Sequence, residues 1–231
     1  MIWLEKEFDF KAGAILNFAK PEGKSSFWVV KKVRRIIQTK VGHAGTLDPF
    51  ASGVLLLCTG KATKQVASLM DMPKIYVGEI ALGVTTNTDD VTGECVEKKN
   101  VPDLNIQEIK DVCNKFVGEI NQIPPMFSAK KVQGRRLYKI ARTGKVIERK
   151  PNLVFIENIE VLSYEKPNIK IKVKCSKGTY IRALARDIGE HIGCGGHLKS
   201  LIRTQIGEFK IEDSLNLEQF QNKIIDTQPS G

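Results

Sequence analysis

The 231-residue sequence has no long hydrophobic run and no segment that resembles a targeting signal. Its longest uninterrupted apolar stretch, residues 54–58, is far shorter than the roughly 20 residues that a membrane-spanning helix needs. Residues 1–7 carry acids where a secretory signal needs basic residues followed by an apolar stretch. We therefore expect a cytoplasmic protein without a membrane partner.

Cysteine is scarce as well, and its pattern excludes two classes of small domain. The five cysteines are odd in number, scattered, and never spaced as CxxC. This pattern argues against a disulfide framework and against a zinc knuckle. We expect reduced thiols and no metal site.

Positive charge is what the sequence has in excess, and it is concentrated in two segments. The chain has 36 Lys and Arg against 26 Asp and Glu, for a net charge of +10. Residues 124–150 contain nine basic residues and one acid, and residues 20–40 contain seven and one. Such clustering is typical of a polyanion-binding surface. The alternative is two solvated helix faces, which is what charge runs usually mean.

Hydrophobic periodicity predicts alternating strands and helices and hence an α/β (α+β) chain with a mixed sheet. Strands are expected at residues 14–18, 54–58, 75–82, 153–162 and 169–175. Helices are expected from the serines of the turn at residues 20–26 to about Ile37, from an Asn105 cap through residues 106–117, and at residues 181–192.

The domain organisation predicted from these elements is one body, residues 1–213, followed by a short tail, residues 214–231. Residues 124–150 interrupt the body as a long basic insertion loop with one short helix, and loops of this length are usually functional or mobile. The tail is expected to form one short helix, because it is too short for an independent domain.

The densest chemical cluster is the segment of residues 42–53, which holds three glycines, His43 and Asp48 just before a buried strand. Glycines permit tight turns next to a ligand, and the proline after Asp48 favours an extended backbone there. Taken alone, the cluster is better explained by a structural histidine and a turn aspartate.

A second cluster, residues 175–187, runs from a strand through a glycine turn into a helix. Tyr180 and Arg182 fall in the first helical turn, where unsatisfied backbone N–H groups favour anions. The arginine could pair with a buried carboxylate and keep it ionised. The other interpretation is a capped helix with a surface arginine.

Three segments, residues 20–26, 43–49 and 177–182, together resemble the signature segments of the TruB-type tRNA pseudouridine synthases. Residues 125–144 are similar to the tRNA-gripping insertion of the bacterial stand-alone branch, and not to the guide-RNA-dependent branch. The resemblance spans roughly residues 15–209. It implies the pseudouridine-synthase fold, with a largely antiparallel sheet flanked by helices.

The resemblance also implies a reaction and its residues. Such enzymes convert uridine 55 in the tRNA T loop to pseudouridine by breaking the N1–C1′ bond, turning the base and rejoining it through C5. Asp48 matches the nucleophile, and Arg182 matches the residue that keeps it ionised and aimed. Tyr76 matches the aromatic that stacks on the target base, and Tyr180 matches the tyrosine beside the C5 proton. No metal or organic cofactor is implied, because the reaction is a redox-neutral isomerisation.

Further residues are assigned to RNA binding by the same resemblance. His43 matches the residue that flips the target base and fills the gap, since the base cannot be reached inside a folded loop. Asp90 aligns with a loop near the active site, although an Asx turn explains it equally well. The other residues assigned to RNA binding are basic. Lys131, Arg136 and Arg142 are expected to contact phosphates, and Lys20, together with Pro21, is also expected to shape the loop beneath the catalytic strand.

The implied partner is the T arm of tRNA, bound by a monomer without a guide RNA. Family members commonly carry a further PUA-type RNA-binding domain, and here we expect no complete one after the body. The alternative function is a non-catalytic tRNA-binding and folding chaperone of the same fold. The presence of Asp48, Tyr76, Tyr180 and Arg182 together favours the enzyme, because a chaperone has no need of that set. A catalytic subunit of a guide-RNA particle is disfavoured by the intact insertion.

Overall fold

The computed structural model describes residues 9–128, 130–132, 135–141, 143–144 and 147–226. The strands are β1 (Ile15–Lys20), β2 (Val41–Ala44), β3 (Ser52–Thr59), β4 (Lys74–Leu82), β5 (Val84–Thr86), β6 (Cys95–Lys98), β7 (Gly118–Gln122), β8 (Lys131–Val132), β9 (Arg135–Arg136), β10 (Asn152–Glu165), β11 (Asn168–Cys175), β12 (Gly196–Ile206) and β13 (Phe209–Lys210). The α-helices are α1 (Ser26–Ile37), α2 (Val66–Asp71), α3 (Ile106–Asn114), α4 (Leu137–Ala141), α5 (Ile181–Ile192) and α6 (Leu217–Asp226). Within these ranges, no helix has the length and apolar character to cross a membrane.

The chain forms two compact units. The first consists of Met1–Tyr76 and Ile202–Gly231, and the second of Val77–Leu201. The unit boundaries fall inside β4 and β12, so each of these two strands contributes residues to both units.

The first unit is built on β3, which is buried on both faces. The strand order is β1-β3-β12-β4, with β2 also paired to β3; β1 and β2 run antiparallel to β3, and β12 runs parallel to it. Leu55 and Leu57 of β3 pack with α1 and α6 on one face, and Leu56 packs with α2 on the other. Helix α6 is held by Phe220, whose ring centroid lies 5.2 Å from that of Phe18. A strand covered on both faces needs a continuous apolar run, which explains residues 54–58.

The second unit has the strand order β12-β4-β11-β10-β7. Strands β10 and β11 form a long antiparallel hairpin, and β11 alternates buried apolar residues with lysines on its other face. A two-stranded ribbon, β5–β6, encloses the loop at residues 87–94. Helix α5 begins directly after the glycine turn that follows β11, so the end of β11 determines where its first turn lies.

The structure confirms the predicted elements and contains others that were not predicted from the sequence. The strands predicted near residues 14–18, 54–58, 75–82, 153–162 and 169–175 are all present, as are the three predicted helices and the short tail helix. Asn105 forms a capping box with Glu108. The insertion holds α4 as predicted, together with a short hairpin, β8–β9, that was not predicted. The division at residue 213 stays a prediction; Leu215 is buried in the first unit, where it pairs with β1.

Candidate active site

Asp48 lies in the connection between β2 and β3, here called the Asp48 loop (residues 45–51). The loop begins at Gly45, whose φ of 89° suits glycine. Its neighbours Leu47 and Ala51 are buried, whereas Asp48 itself is half-buried. The backbone N–H of Ala51 donates to the carbonyl of Asp48 at 3.1 Å and closes the turn. The loop therefore holds a carboxylate at the edge of an apolar core.

Three buried side chains from three elements hold this loop. Ser26, the first residue of α1, accepts a hydrogen bond from the Leu47 N–H at 2.8 Å and donates to the Leu47 carbonyl at 3.0 Å. Arg203 of β12 donates to the Gly45 carbonyl at 3.0 Å and to the Val54 carbonyl at 2.8 Å. Lys20, at the end of β1, donates to the Pro49 carbonyl at 3.3 Å. The backbone is thus fixed before, beside and after Asp48.

The Lys20 ammonium is a buried charge, since the residue is 1% exposed. It also donates to the carbonyls of Pro21 and Lys24, which provide the hydrogen bonds that a buried ammonium requires. Burial lowers the pKa of Lys20 to about 8, the nearby Asp48 carboxylate opposes this shift, and Arg203 adds to it. Lys20 was assigned to RNA binding and was also expected to shape a loop beneath the catalytic strand; its burial argues against the RNA contact, and its hydrogen bond to Pro49 agrees with the loop role.

His43 and Tyr76 are the other site residues of the first unit. His43 lies on β2, two residues before the Asp48 loop, and is half-buried. Burial and the charge of Arg203 lower the pKa of His43, which favours the neutral imidazole, and a hydrogen bond with the Gly45 backbone partly opposes this shift. Tyr76 is the third residue of β4, at the head of a strand as predicted, and is 9% exposed.

In the second unit, Tyr180 is the N-cap residue of α5 and Arg182 is the second helical residue, which confirms their predicted place at the start of the helix. The backbone of Tyr180 is held by Gln122, a 1%-exposed residue at the end of β7. The Tyr180 N–H donates to the Gln122 Oε1 at 2.8 Å, and the Gln122 Nε2 donates back to the Tyr180 carbonyl at 3.1 Å. Strand β7 therefore fixes where the tyrosine enters the helix.

The Arg182 guanidinium is buried and oriented by a carboxylate. Its Nη1 lies 3.3 Å from the Oδ2 of Asp90, and both side chains are about 5% exposed or less. Nη1 also donates to the Thr88 carbonyl at 3.0 Å, and Nη2 donates to the Phe127 carbonyl at 2.9 Å. These contacts fix the plane of the guanidinium, which a single ion pair would leave free to rotate.

Asp90 is itself held in place by the loop that carries it. Its Oδ1 accepts hydrogen bonds from the Thr88 hydroxyl at 2.8 Å, from the Thr92 hydroxyl at 2.6 Å and from the Thr92 N–H at 2.9 Å. The Asx-turn interpretation is therefore correct for Oδ1, while Oδ2 faces Arg182. Asp90 is 3% exposed, so the expectation of an RNA contact gives way to a positioning role on Arg182.

The side chains predicted to contact phosphates in the insertion lie outside the described residues. Arg142 lies outside the described residues, and so do the side chains of Lys131 and Arg136, whose backbones form β8 and β9. Their RNA-binding role stays a prediction.

A second ion cluster joins α5 to the loop at residues 87–94, here called the Asp90 loop, in the same unit. The Arg186 Nη1 of α5 lies 2.9 Å from the Oδ2 of Asp89, its Nη2 lies 2.7 Å from the Oδ1 of Asp187, and Nη2 also donates to the Ile123 carbonyl at 3.0 Å. Burial raises the pKa of Asp89, and Arg186 opposes this shift most strongly. Sequence reasoning singled out none of these residues.

Solved structures share this fold. The chain matches a structure described as "Crystal Structure of a Cbf5-Nop10-Gar1 Complex" with a TM-score of 0.71 and 31% identity over 93% of this chain and 56% of that one. It matches another, "Structure of H/ACA RNP bound to a substrate RNA containing 2'-deoxyuridine", with a TM-score of 0.66 and 30% identity over 90% of this chain and 52% of that one. The chain thus spans about half the length of these proteins. The fold is that of the pseudouridine synthases.

Sequence comparison gives the family. The model of the TruB family pseudouridylate synthase N-terminal domain matches residues 33–181, and that of the tRNA pseudouridylate synthase B C-terminal domain matches residues 182–230. The chain is 46% identical to the tRNA pseudouridine synthase B of Phocaeicola vulgatus, over 92% of this chain and 93% of that protein. It is 49% identical to the tRNA pseudouridine synthase B of Clostridium kluyveri, over 91% of this chain and 73% of that protein. The chain belongs to the TruB family.

Proposed function

We propose that this chain converts uridine 55 in the T loop of tRNA to pseudouridine, with Asp48 as the nucleophile. The similar curated proteins are named tRNA pseudouridine synthase B, and the family isomerises uridine in tRNA. The observation that carries the proposal is the Asp48 loop, in which three buried side chains hold the backbone around one half-buried aspartate. Such preorganisation has a function when one carboxylate must be aimed at one atom.

The proposed reaction rearranges bonds within one nucleotide. The N1–C1′ bond breaks, the base turns, and a C5–C1′ bond forms; the C5 proton leaves to solvent and N1 acquires a proton. A carboxylate suits this reaction because it can attack an electrophilic carbon or stabilise a developing oxocarbenium ion. The charge of Lys20 close to Asp48 favours the ionised carboxylate that either route requires.

Three further residues complete the proposed machinery, following the family resemblance. Arg182 is assigned as the cation that keeps Asp48 ionised, Tyr180 as the group beside the C5 proton, and Tyr76 as the ring that stacks on the target base. What supports these roles is that two of the groups are held in place by partners of their own: Asp90 orients Arg182, and Gln122 fixes the backbone of Tyr180.

We propose that the target base is flipped out of the T loop and that His43 fills the space it leaves. A base within a folded loop has to be extruded before an enzyme can act on its glycosidic bond. The lowered pKa of His43 favours the neutral imidazole, which can enter a base stack without carrying a charge into it. The position of His43 next to the Asp48 loop supports this role.

The proposed partner is the T arm of tRNA, bound by a monomer in the cytoplasm without a guide RNA. The basic insertion, residues 124–150, supplies charge suited to phosphate contacts. A guide RNA is not needed when the fold of the tRNA itself presents the target loop.

The proposal is tested by mapping pseudouridine in a tRNA transcript incubated with the purified protein and no other RNA. We expect product at position 55, none after uridine 55 is replaced by cytidine, and at least about a thousandfold slower formation with Asp48→Asn. The control is Asp103→Asn, an identical change at a fully exposed carboxylate. Product formed by Asp48→Asn at the wild-type rate would remove Asp48 from the nucleophile role.

A further inference from the structure

The face of α1 that points away from the core has an unusual composition, and neither the Asp48 loop nor the insertion accounts for it. Ser26, Val29, Val30 and Val33 are buried against the first unit. The remaining surface presents the exposed residues Phe27, Lys31, Lys32, Arg34 and Arg35, together with Trp28, which is half-buried and also packs against the core; these six residues are here called the α1 face.

The charges of the α1 face are all positive. The helix contains no acidic residue, and within the described ranges none of its four basic side chains forms an ion pair. Like charges three or four residues apart on a helix repel one another, as Lys31 and Arg35 do here. Arg34 and Arg35 gain from the negative end of the helix dipole, but Lys31 and Lys32 lie too far from it. The repulsion is relieved when a polyanion binds.

The aromatic residues of this face are placed for contact with a base. Phe27 is 67% exposed, which leaves most of a large apolar ring in water. Trp28 lies between two lysines, with the Lys24 Nζ 5.6 Å and the Lys32 Nζ 5.5 Å from its ring centroid. Exposed aromatic rings among basic side chains are the arrangement with which proteins bind unpaired nucleotides, by stacking on bases and pairing with phosphates.

The α1 face also begins at the Asp48 loop. Ser26, which holds both backbone groups of Leu47, directly precedes Phe27 in the chain. From that point the 12-residue helix extends about 18 Å. An RNA strand with its target base at Asp48 therefore finds an aromatic ring first and a row of cations after it.

We infer that the α1 face is a second RNA-binding surface for the same substrate, distinct from the basic insertion. Phe27 packs against a base or ribose next to the target nucleotide, and Lys31, Lys32 and Arg35 contact the phosphates that lead away from it. The inference rests on the proposed function for the identity of the RNA. An acidic protein would match the charge, but it would not account for an exposed ring at the end of the row nearest to Asp48.

The proposed phosphate contacts of the α1 face are tested with the triple variant Lys31→Gln/Lys32→Gln/Arg35→Gln. We expect weaker tRNA binding, and a slope of log Kd against log salt that is smaller than the wild-type slope by about 2 to 3, because three phosphate contacts are lost. The matched control is Lys170→Gln/Lys172→Gln/Lys174→Gln. It changes the net charge equally on β11, where Lys172 and Lys174 already face glutamates. The control should keep the wild-type slope.

The proposed contact between the Phe27 ring and the RNA is tested with Phe27→Ala and Phe27→Tyr. Loss of one stacked ring should raise the Kd for tRNA by about 5- to 100-fold, and tyrosine should restore wild-type binding because it keeps the ring. Phe27 is exposed, so the thermal midpoint of both variants should match the wild type and show that binding, and not folding, has changed.

Failure of this inference is distinguishable from failure of the proposed function. If wild-type protein forms pseudouridine while the triple variant keeps the wild-type salt slope, the α1 face is a solvated helix face or a site for an acidic protein, and the inference is wrong. If the wild type forms no pseudouridine, the proposed function fails, and the same binding measurements still decide whether the α1 face binds RNA.

Discussion

At the scale of single residues, the buried ammonium of Lys20 is the charge whose protonation most directly affects Asp48. A buried ammonium next to the carboxylate that we propose as the nucleophile supplies a positive charge, but only while it is protonated. Burial has lowered the pKa of Lys20 to about 8, so this charge is lost as the pH rises through that value. The hydrogen bond to the Pro49 carbonyl then weakens, and the electrostatic support of Asp48 disappears.

We therefore predict an alkaline limb in kcat with an apparent pKa near 8 that belongs to Lys20. Lys20→Arg keeps its charge throughout this range, so its kcat should stay level at pH values where wild-type kcat declines. Lys20→Met should be slow at every pH. The measurement is single-turnover pseudouridine formation between pH 6.5 and 9.5. An identical alkaline limb in wild type and Lys20→Arg would assign the titration to another group.

Stability should follow the same titration. The pKa of Lys20 is about 8 in the folded state and 10.5 in the unfolded state. Below about pH 8 the folded protein therefore bears the whole destabilisation that comes from burying the charge, and this destabilisation decreases as the pH rises and Lys20 loses its proton. Relative to Lys20→Arg, wild-type protein should gain stability over that interval, as measured by chemical denaturation.

At the scale of elements, two adjacent serines of one turn perform different tasks. Ser25 is the N-cap of α1 and accepts from the Trp28 N–H at 3.1 Å. Ser26 is turned inward and holds the Leu47 backbone. The sequence alone identified both serines as candidates for the helix cap. It could not distinguish them, because the task of Ser26 depends on its contact with Leu47, 21 residues away.

These serines give a matched pair of variants. Ser26→Ala leaves a buried N–H and a buried carbonyl without partners, which should cost about 1–3 kcal/mol of stability and slow catalysis through a looser Asp48 loop. Ser25→Ala should cost about 1 kcal/mol and leave kcat within twofold of wild type. Denaturation and single-turnover rates measure both effects. Equal kcat values in the two variants would show that the Ser26 contacts are only structural.

The ion pair between α5 and the Asp90 loop leads to a prediction about pH. Arg186→Met removes the main counter-charge of the buried Asp89 and should cost about 3–5 kcal/mol at pH 7. Since burial already raises the pKa of Asp89, the deficit should shrink as pH falls and the carboxyl takes up a proton. The double variant Arg186→Met/Asp89→Asn should recover much of the loss. A deficit that is constant from pH 7 to pH 5 would contradict this explanation.

At the scale of the whole molecule, local patterns predicted the elements, whereas the site residues were proposed from motif resemblance. Helices α1, α3 and α5 could be predicted because each has an apolar stripe and a defined start. Strand β12 was missed because its inward-facing positions include Arg203, which a hydrophobic pattern counts as exposed.

The residues that support the site were missed for a related reason. Arg203 meets the Gly45 carbonyl across 158 positions in the chain, and Gln122 meets Tyr180 across 58. Neither contact leaves a local signature, since any polar residue is compatible with the pattern around it. Asp90 and Lys20 were assigned to RNA binding from the family resemblance, whereas both side chains are buried and use their charges within the fold.

The most direct test of the central claim, that a preorganised Asp48 isomerises a uridine in tRNA, is the release of tritium from a transcript labelled at C5 of uridine. We expect about one equivalent released per tRNA by wild-type protein, and none after replacement of the target uridine or with Asp48→Asn. Tight binding of the transcript by wild-type protein without release of tritium would contradict this claim and would make this chain an RNA-binding relative of the enzymes.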